Sequence, residues 1–197
     1  MQLILASQSK YRRAQLENFG LKFEAIAPLV NEDELKAQGP KDLVELTRFL
    51  AFHKANSLRE KFPQAIILGS DQLAECEGKR LDKPGSFAKA LQQLQTMQGR
   101  EHRLITSLVV AGPTHLQTYT DLTRIQLKAL TDSEIEAYLQ VDEPYDCAGS
   151  YKIEKAGMAL VERLETLDPS AIQGLPLLSL VAGLKKQGID LHELWRS

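Results

Sequence analysis

The feature of this chain that most constrains its fold is the alternation of short, wholly apolar runs with amphipathic stretches over 197 residues. The runs LILA (3–6) and AIIL (65–68) have strand length and are apolar at every position, as in strands buried on both faces of a sheet. Stretches with helical period follow, such as the one that ends at Gly20. The alternation predicts one α/β unit with a mixed sheet, bent into two lobes around a cleft.

The same signals predict the rest of the chain. The polar stretch PLVNEDELKAQG (28–39) is expected to be a loop, and a helix opened by Pro40 is expected to run to about Phe62. Repeats, low-complexity tracts and linkers are lacking from the sequence, so we expect a single domain over 1–197. The other expected elements are strands at 23–27, 102–112, 114–127 and 158–164, a hairpin turning near Glu77 and Gly78, helices at 87–97 and after GLPL (174–177), a helix at 132–140 with the capping box Thr131 and Glu134, and an irregular segment at 141–157.

Composition excludes several classes of protein. The net charge of −2 and the pI near 6.1 argue against a general nucleic-acid binder. Cys76 and Cys147 stand in unrelated contexts, without the spacing of a disulfide framework or a metal site. The opening MQLILAS lacks the basic flank of a signal peptide, and apolar runs fall short of the roughly 20 residues of a membrane span. We therefore expect a soluble cytoplasmic protein with neither nucleic acid nor membrane as a partner.

The turn after the first apolar run is unusually rich in hydroxyls and cations. Residues 7–13 are SQSKYRR, which is far richer in hydroxyl and cationic side chains than a plain connection between a strand and a helix requires. A helix N-terminus presents unpaired N–H groups and the positive end of a dipole, so this turn attracts anions. The simpler alternative is that Ser7 or Ser9 caps the helix while Arg12 and Arg13 are solvated.

A second polar group follows the third predicted strand. Asp71, between Ser70 and Gln72, directly follows IILGS (66–70), in which the apolar run ends at Leu68. Ligands of open α/β sheets bind outside the carboxyl ends of the strands, so we expect this group and residues 7–12 to share a site. A carboxylate there would pair with a metal, a cation or a water molecule to be activated. The alternative is an aspartate that only caps a turn.

Three further charged residues complete a set suited to phosphate chemistry. Glu32 lies in an acidic stretch, Lys54 on an apolar helix face, and Lys83 before Pro84 in a rigid turn. Each alone could be a solvated surface charge. Together they supply acids for a divalent cation and positive charge for a polyphosphate, which hydrolysis of a phosphoanhydride requires. For the two lysines we expect work on substrate charge and not on packing.

These strings, in this order, resemble the Maf family of nucleotide pyrophosphatases. The matches are LASQSKYRR (5–13), GSDQ (69–72), KP (83–84), EPYDCAGSY (143–151) and GLPL (174–177). Each string is weak alone, but the ordered set spans nearly the whole chain and is specific. The resemblance implies a mixed, strongly twisted sheet flanked by helices with a cleft between two lobes, frequent homodimers, a divalent cation such as Mg²⁺, Mn²⁺ or Co²⁺, and hydrolysis of a nucleoside triphosphate to monophosphate and pyrophosphate.

The resemblance also assigns roles by position. It implies that Asp71 is the proton acceptor and that Glu32 and Asp71 hold the metal. Two positions depart from the family pattern, since Asn31 stands beside Glu32 where an acid is common and Asp82 replaces the commoner glycine before the lysine. Weaker metal binding is the expected consequence of Asn31, to which we assign no metal role. The residues to which the resemblance gives phosphate or catalytic roles are Ser7, Arg12, Glu32, Lys54, Asp71 and Lys83.

Substrate class within the family differs at three positions, occupied here by Tyr11, Gln72 and Glu154. This set resembles the subfamily that hydrolyses 7-methyl-GTP, whereas members for thymidine and uridine triphosphates show arginine, threonine and glutamine. Methylation at N7 makes the purine cationic, so it stacks on an aromatic face and favours a nearby carboxylate. The alternatives are that Tyr11 is an ordinary packing or surface tyrosine and that Glu154 is a solvated surface charge. Two alternative functions of the whole chain also remain. One is a pyrophosphatase for another purine or for dTTP or UTP, and the other is a nucleotide-binding cell-division regulator with little catalysis.

Overall fold

A computed structural model describes residues 2–190 and 192, and its mixed α/β architecture confirms the predicted fold class. The strands of this part are β1 (Leu3–Ala6), β2 (Glu24–Ile26), β3 (Ile66–Cys76), β4 (Lys79–Leu81), β5 (Glu101–Ala111), β6 (Leu116–Leu127) and β7 (Val161–Glu165). The helices are α1 (Lys10–Asn18), α2 (Glu32–Gln38), α3 (Leu43–Asn56), α4 (Phe87–Met97), α5 (Asp132–Asp142) and α6 (Leu177–Lys186), with 3₁₀ helices at Ala156–Leu160 and Pro169–Gln173.

The strands form one mixed sheet. Its order is β2-β1-β3-β5-β6-β7, with β4 paired to β3. The strand β1 is parallel to both β2 and β3, whereas β4 is antiparallel to β3 and β7 to β6. The mixed sheet is thus confirmed, while its strong twist and the cleft stay predictions.

By their internal contacts the residues group into two compact units. The first unit comprises 1–72, 106–121 and 168–197, and the second comprises 73–105 and 122–167, as far as these ranges are described. The strands β3, β5 and β6 each contribute residues to both units. The single domain expected over 1–197 stays a prediction, and its positions 1, 191 and 193–197 lie outside the described residues.

The core of the first unit lies on both faces of its part of the sheet. One cluster contains Leu3, Leu5 and Leu68 together with residues of α1 and α6. A second contains Ile4 and Ile67 with the alanines of α3. Because successive strand side chains point to opposite faces, the apolar runs have to be continuous to fill both clusters.

Gly69 allows α3 to lie directly against β3. A Cβ atom at this position would stand 2.2 Å from the carbonyl oxygen of Ala51 and 2.8 Å from the Cβ of Ala55. Any side chain here would push the helix away from the strand, and a buried backbone clash of this kind is strongly destabilising. The glycine therefore sets how closely Lys54, on α3, approaches Asp71, on β3.

The second unit is built on a hairpin and a helix pair. The chain turns between β3 and β4 at Glu77 and Gly78, which have φ values of 51° and 78°, as predicted for this hairpin. Helices α4 and α5 pack together, and α5 begins with the predicted capping box of Thr131 and Glu134. Both hydrogen bonds of the box are formed, so the sequence signal is confirmed at this position.

Several predicted boundaries were wrong. The stretch expected to be a loop contains α2, because Asn31 caps it by accepting from the N–H groups of Asp33 and Glu34. The next helix begins at Leu43 behind the cap Asp42, not at Pro40, and ends at Asn56. The strand expected at 158–164 begins as a 3₁₀ helix and becomes β7 only at Val161. Within the described chain, every helix is too short or too polar to cross a membrane.

Candidate active site

A buried lysine bridging two carboxylates is the centre of the candidate site in the first unit. The Nζ atom of Lys54 lies 2.6 Å from Oδ1 of Asp71 and 2.7 Å from Oε2 of Glu32. Lys54 and Asp71 are only 6% and 4% exposed. Burial makes each charge costly unless it is paired, so the three residues are held together by their mutual compensation.

The position of Asp71 corrects the expectation of a strand-end carboxylate. It lies within β3, which continues to Cys76. The neighbouring strand β1 ends at Ala6, and the parallel register pairs Leu5 with Leu68. Asp71 therefore lies beyond the last paired residue of β1, where the sheet edge opens although its own strand continues.

One oxygen of Asp71 has no partner. Oδ2 is buried and accepts no hydrogen bond from any described residue, whereas Oδ1 accepts a hydrogen bond from Nζ of Lys54. Buried polar atoms are nearly always hydrogen-bonded, and the exceptions mark places where an ordered water molecule, an ion or a catalytic function is involved. The free oxygen is therefore the atom of this site that is available to a water molecule or a cation.

Glu32 begins α2 and is held by two cations. Partial burial opposes its ionisation, but the ammonium groups of Lys54 and Lys36 outweigh it and lower the pKa of Glu32 to about 2. Lys36 lies one turn further along α2, 2.8 Å from Oε1. Asn31 caps the same helix and also donates to Glu34 at 2.7 Å, so its amide serves the helix.

The hydroxyls of the first turn have different tasks. Ser9 is the N-cap of α1 and accepts from the N–H of Arg12 at 3.4 Å, so the helix-capping alternative holds for this residue. Ser7 is 8% exposed, and its Oγ accepts from the N–H of Ser9 at 3.1 Å and from Nη1 of Arg12 at 3.5 Å. Ser7 therefore belongs to the surroundings of the arginine.

Arg12 is fixed by the backbone of the GLPL segment. Its Nε donates to the carbonyl oxygen of Gly174 at 2.8 Å. Burial lowers the pKa of Arg12, and the carboxylates of Asp71 and Glu32 act in the opposite direction. The arginine thus shares the field of the Lys54 cluster, and a common site for residues 7–12 and 70–72 stays a prediction. Arg13 instead pairs with Glu17 at the surface, 2.8 Å away.

Two residues expected to read the base also lie in the first unit. Tyr11 is half-buried in the first turn of α1, with Nζ of Lys10 5.1 Å from its ring centroid. Nε2 of Gln72 donates to Thr106 Oγ1 at 2.9 Å and to the carbonyl oxygens of Ala171 and Ile172 at 2.9 and 3.0 Å. Since these acceptors orient the amide, only its oxygen remains for a ligand.

Lys83 and Glu154 belong to the second unit. Lys83 is exposed in the loop between β4 and α4, and Glu154 is exposed between α5 and the following 3₁₀ helix. Asp82, the departure from the family pattern, pairs with Arg80 at 3.0 Å. The structure therefore gathers Ser7, Arg12, Glu32, Lys54 and Asp71 in one unit, while the roles of these residues, like those of Lys83 and Glu154, stay predictions.

The sequence placed Ser70 in the polar group beside Asp71, but its hydrogen bonds and the part played by Lys36 were not predicted. Ser70 is fully buried and donates to the carbonyl oxygens of Ser107 and Gly174 at 2.9 and 2.8 Å. The spacing of Glu32 and Lys36, four residues apart, was a readable signal for their ion pair. The hydrogen bonds of Ser70 have no such signal in the sequence, because their acceptors are backbone carbonyl groups, which every residue carries.

Oxygen ligands for a metal are few in this site. Within residues 2–190 and 192, a group of three or more His, Cys, Asp or Glu side chains arranged to hold a metal is absent. Glu32 and Asp71 are two hard carboxylates joined through Lys54, and Asp71 keeps one unpaired oxygen. This donor set fits Mg²⁺, which is commonly bound by one or two carboxylates and completed by water and substrate phosphates.

The fold and the cluster define a mixed α/β protein whose site combines an oriented arginine, a buried lysine and a carboxylate. The sequence matches the family described as Maf-like protein over residues 2–187, and the chain belongs to that family.

Three relatives that match over nearly their full length are named 7-methyl-GTP pyrophosphatase. A protein of Bdellovibrio bacteriovorus is 45% identical over 91% of this chain and 93% of its own. One from Cupriavidus pinatubonensis is 42% identical over 94% and 93%, and one from Xanthomonas axonopodis pv. citri is 40% identical over 96% and 98%. The recognition made from the short motifs is thereby confirmed.

Proposed function

We propose that this protein hydrolyses a nucleoside triphosphate, 7-methyl-GTP above all, to the monophosphate and pyrophosphate. The observation that carries the proposal is the buried Lys54 between Glu32 and Asp71, with one oxygen of Asp71 unpaired. The site thus offers a carboxylate for water beside a fixed positive charge. The names of relatives at 40–45% identity support the same activity.

In the proposed reaction each residue has a defined task. Oδ1 of Asp71 is held by Lys54, so Oδ2 orients a water molecule towards the α-phosphorus and accepts its proton. Arg12, Lys54 and Lys83 neutralise charge on the phosphate oxygens, and Ser7 donates to them. Pyrophosphate leaves as the bond between the α-phosphorus and the bridging oxygen breaks.

A divalent cation would be held by Glu32 and Asp71. When bound, such an ion would neutralise phosphate oxygens and favour attack on the phosphorus. The ammonium groups of Lys36 and Lys54 lie 2.8 and 2.7 Å from Oε1 and Oε2 of Glu32, so a cation would share these oxygens with the lysines or displace one of them. Which of Mg²⁺, Mn²⁺ and Co²⁺ serves best follows from a titration of activity with each ion.

The base would be recognised through Tyr11, Gln72 and Glu154. The oriented amide of Gln72 and the carboxylate of Glu154 are both acceptors, which suits a base edge that carries donors. The N1–H and 2-amino groups of guanine form such an edge. The cationic ring of 7-methylguanine adds attraction to the face of Tyr11 and to the charge of Glu154.

A substrate panel tests the proposed function. We expect pyrophosphate release to be fastest, by kcat/KM, with 7-methyl-GTP among GTP, ATP, CTP, UTP, dTTP and 7-methyl-GTP. A preference for UTP or dTTP would contradict the base assignment but keep the pyrophosphatase. Tight binding of all nucleotides without release would instead favour the regulatory alternative.

Glu154→Gln is expected to reduce the preference for 7-methyl-GTP over GTP more than it reduces turnover of GTP. The substitution keeps size and hydrogen-bonding capacity and removes only the charge that the cationic ring would meet.

Tyr11→Ala is expected to cost the methylated substrate about 1–2 kcal/mol in kcat/KM through the lost cation–π contact. The measurement is kcat/KM for both nucleotides at one metal concentration. Equal slowing of both by each variant would refute the base assignment.

Assembly and location also belong to this proposal. The family resemblance favours a homodimer, and the cysteine content of the sequence favours the cytoplasm. Light scattering of the purified protein at micromolar concentration would give twice the monomer mass of 22.0 kDa if the dimer is correct.

A further inference from the structure

We propose that Ser70 is a positioning residue that holds the Arg12 guanidinium in its phosphate-binding orientation through the carbonyl group of Gly174. The inference rests on the proposed function, because it takes Arg12 as a phosphate ligand. Ser70 precedes the proposed base Asp71, so one stretch of β3 would orient the arginine and carry the carboxylate.

The carbonyl oxygen of Gly174 joins the two residues. It accepts from Nε of Arg12 at 2.8 Å and from Oγ of Ser70 at 2.8 Å. Two donors on one carbonyl oxygen fix its direction more closely than either alone. Because the guanidinium is planar and rigid, the bond at Nε sets the direction of the whole fork.

The bond at Nε leaves the outer nitrogens of Arg12 for other acceptors. The hydrogen bond of Nη1 within the described residues goes to Ser7 Oγ, at the limiting distance of 3.5 Å. The guanidinium offers five donors in a fixed geometry that matches phosphate oxygens in pairs. A rotation about the side-chain axis would misdirect that fork even if the charge remained nearby.

Ser70 is itself well fixed. It is fully buried and shares its single hydroxyl hydrogen between Gly174 and the carbonyl oxygen of Ser107, 2.9 Å away on β5. On β3 its side chain lies on the face of Leu68, the face that packs against α1 and α6. Asp71 points to the opposite face, towards α3, so the two neighbours serve different sides of the sheet.

Gly174 leaves room for this contact. Its φ of 99° is a conformation that favours glycine, and a Cβ atom would stand 3.3 Å from Nε of Arg12. The glycine ends the 3₁₀ helix Pro169–Gln173 and presents its carbonyl group towards β3. The segment 169–174 therefore supplies the backbone carbonyl group that orients the arginine.

The test compares two buried serines with the same substitution. Ser107 is also fully buried, and its hydroxyl contacts Thr120 at 3.1 Å instead of Gly174. Ser70→Ala is expected to raise KM for 7-methyl-GTP about tenfold and to weaken binding of α,β-methylene-GTP about tenfold, with kcat changed less than about twofold. Ser107→Ala is expected to lower the melting temperature about as much as Ser70→Ala does, while KM and Kd stay as in the wild type.

A double variant establishes whether Ser70 acts through Arg12. A lysine at position 12 has no Nε donor for Gly174, so Ser70→Ala in an Arg12→Lys background is expected to weaken binding by less than about a further twofold. If Ser70→Ala does not fold, Ser70→Cys keeps the volume with a weaker donor and is measured in the same way. Equal effects of Ser70→Ala and Ser107→Ala on Kd, or a full effect in the Arg12→Lys background, would overturn the proposal. A wild type that binds α,β-methylene-GTP but releases no pyrophosphate would refute the proposed function, while the Kd comparison would still decide the role of Ser70.

Discussion

Asp71→Asn is expected to lower kcat for 7-methyl-GTP at least ~100-fold, as loss of a general base typically does. Asparagine can still accept from Lys54 through its amide oxygen, so the buried contact at Oδ1 and the fold are kept. Its amide nitrogen replaces the unpaired Oδ2 and can neither accept the proton of water nor bind a cation. Steady-state kinetics, with Kd for α,β-methylene-GTP and the melting temperature alongside, separate chemistry from binding and folding.

The matched control for this variant is Asp121→Asn. Asp121 is 5% exposed, close to the 4% of Asp71, and lies in the same unit, where Oδ2 accepts from the backbone N–H of Asp168. We expect this control to lose some stability and to keep kcat per folded molecule within about tenfold of the wild type. Retained turnover in Asp71→Asn, or an equal loss in Asp121→Asn, would remove Asp71 from the centre of the mechanism.

Lys54→Met is expected both to destabilise the protein, by about 3–5 kcal/mol, and to abolish measurable turnover. Methionine occupies nearly the same volume, so the cost comes from the lost charge. Asp71 would stay buried without the ammonium group that pairs with it, while Glu32 would keep its contact with Lys36. This revises the sequence-based expectation for Lys54, which allowed no role in stability. Denaturant unfolding measures the first effect and pyrophosphate release the second.

Lys83→Ala provides the contrast. Lys83 is exposed, so its removal leaves no buried charge without compensation, and the melting temperature is expected to stay unchanged while turnover falls. Unchanged stability in Lys54→Met would contradict the structural role of the bridge. Unchanged turnover in Lys83→Ala would assign that lysine to the solvated surface.

The stability losses of Asp71→Asn and Lys54→Met are not expected to be additive, because each buried charge is stabilised by its partner. Asp71→Asn removes one of the two carboxylates on Lys54, which makes the ammonium less necessary for stability. The double variant with Lys54→Met is therefore expected to be more stable than the sum of the two single losses predicts.

Candidate site residues could be selected from the sequence because phosphate chemistry needs particular residue types. Ser7, Arg12, Glu32, Lys54 and Asp71 were all selected from the sequence, and the structure places them in one unit. The prediction failed where local signals compete. Asn31 was interpreted within a loop, but three acidic residues after it satisfy the first turn of a helix, and the helix forms.

The sequence alone determined the alternation of elements, the mixed α/β class and the family, because apolar period and ordered motifs are properties of residue type. Tertiary structure decided three things that residue types do not encode. It placed Asp71 within a continuous strand, since only the shorter neighbour β1 ends there. It made Lys54 a buried bridge, since Gly69 lets α3 approach β3 closely. It directed Arg12 through the Gly174 carbonyl, and every residue carries the same carbonyl, so only the path of the backbone could select that one.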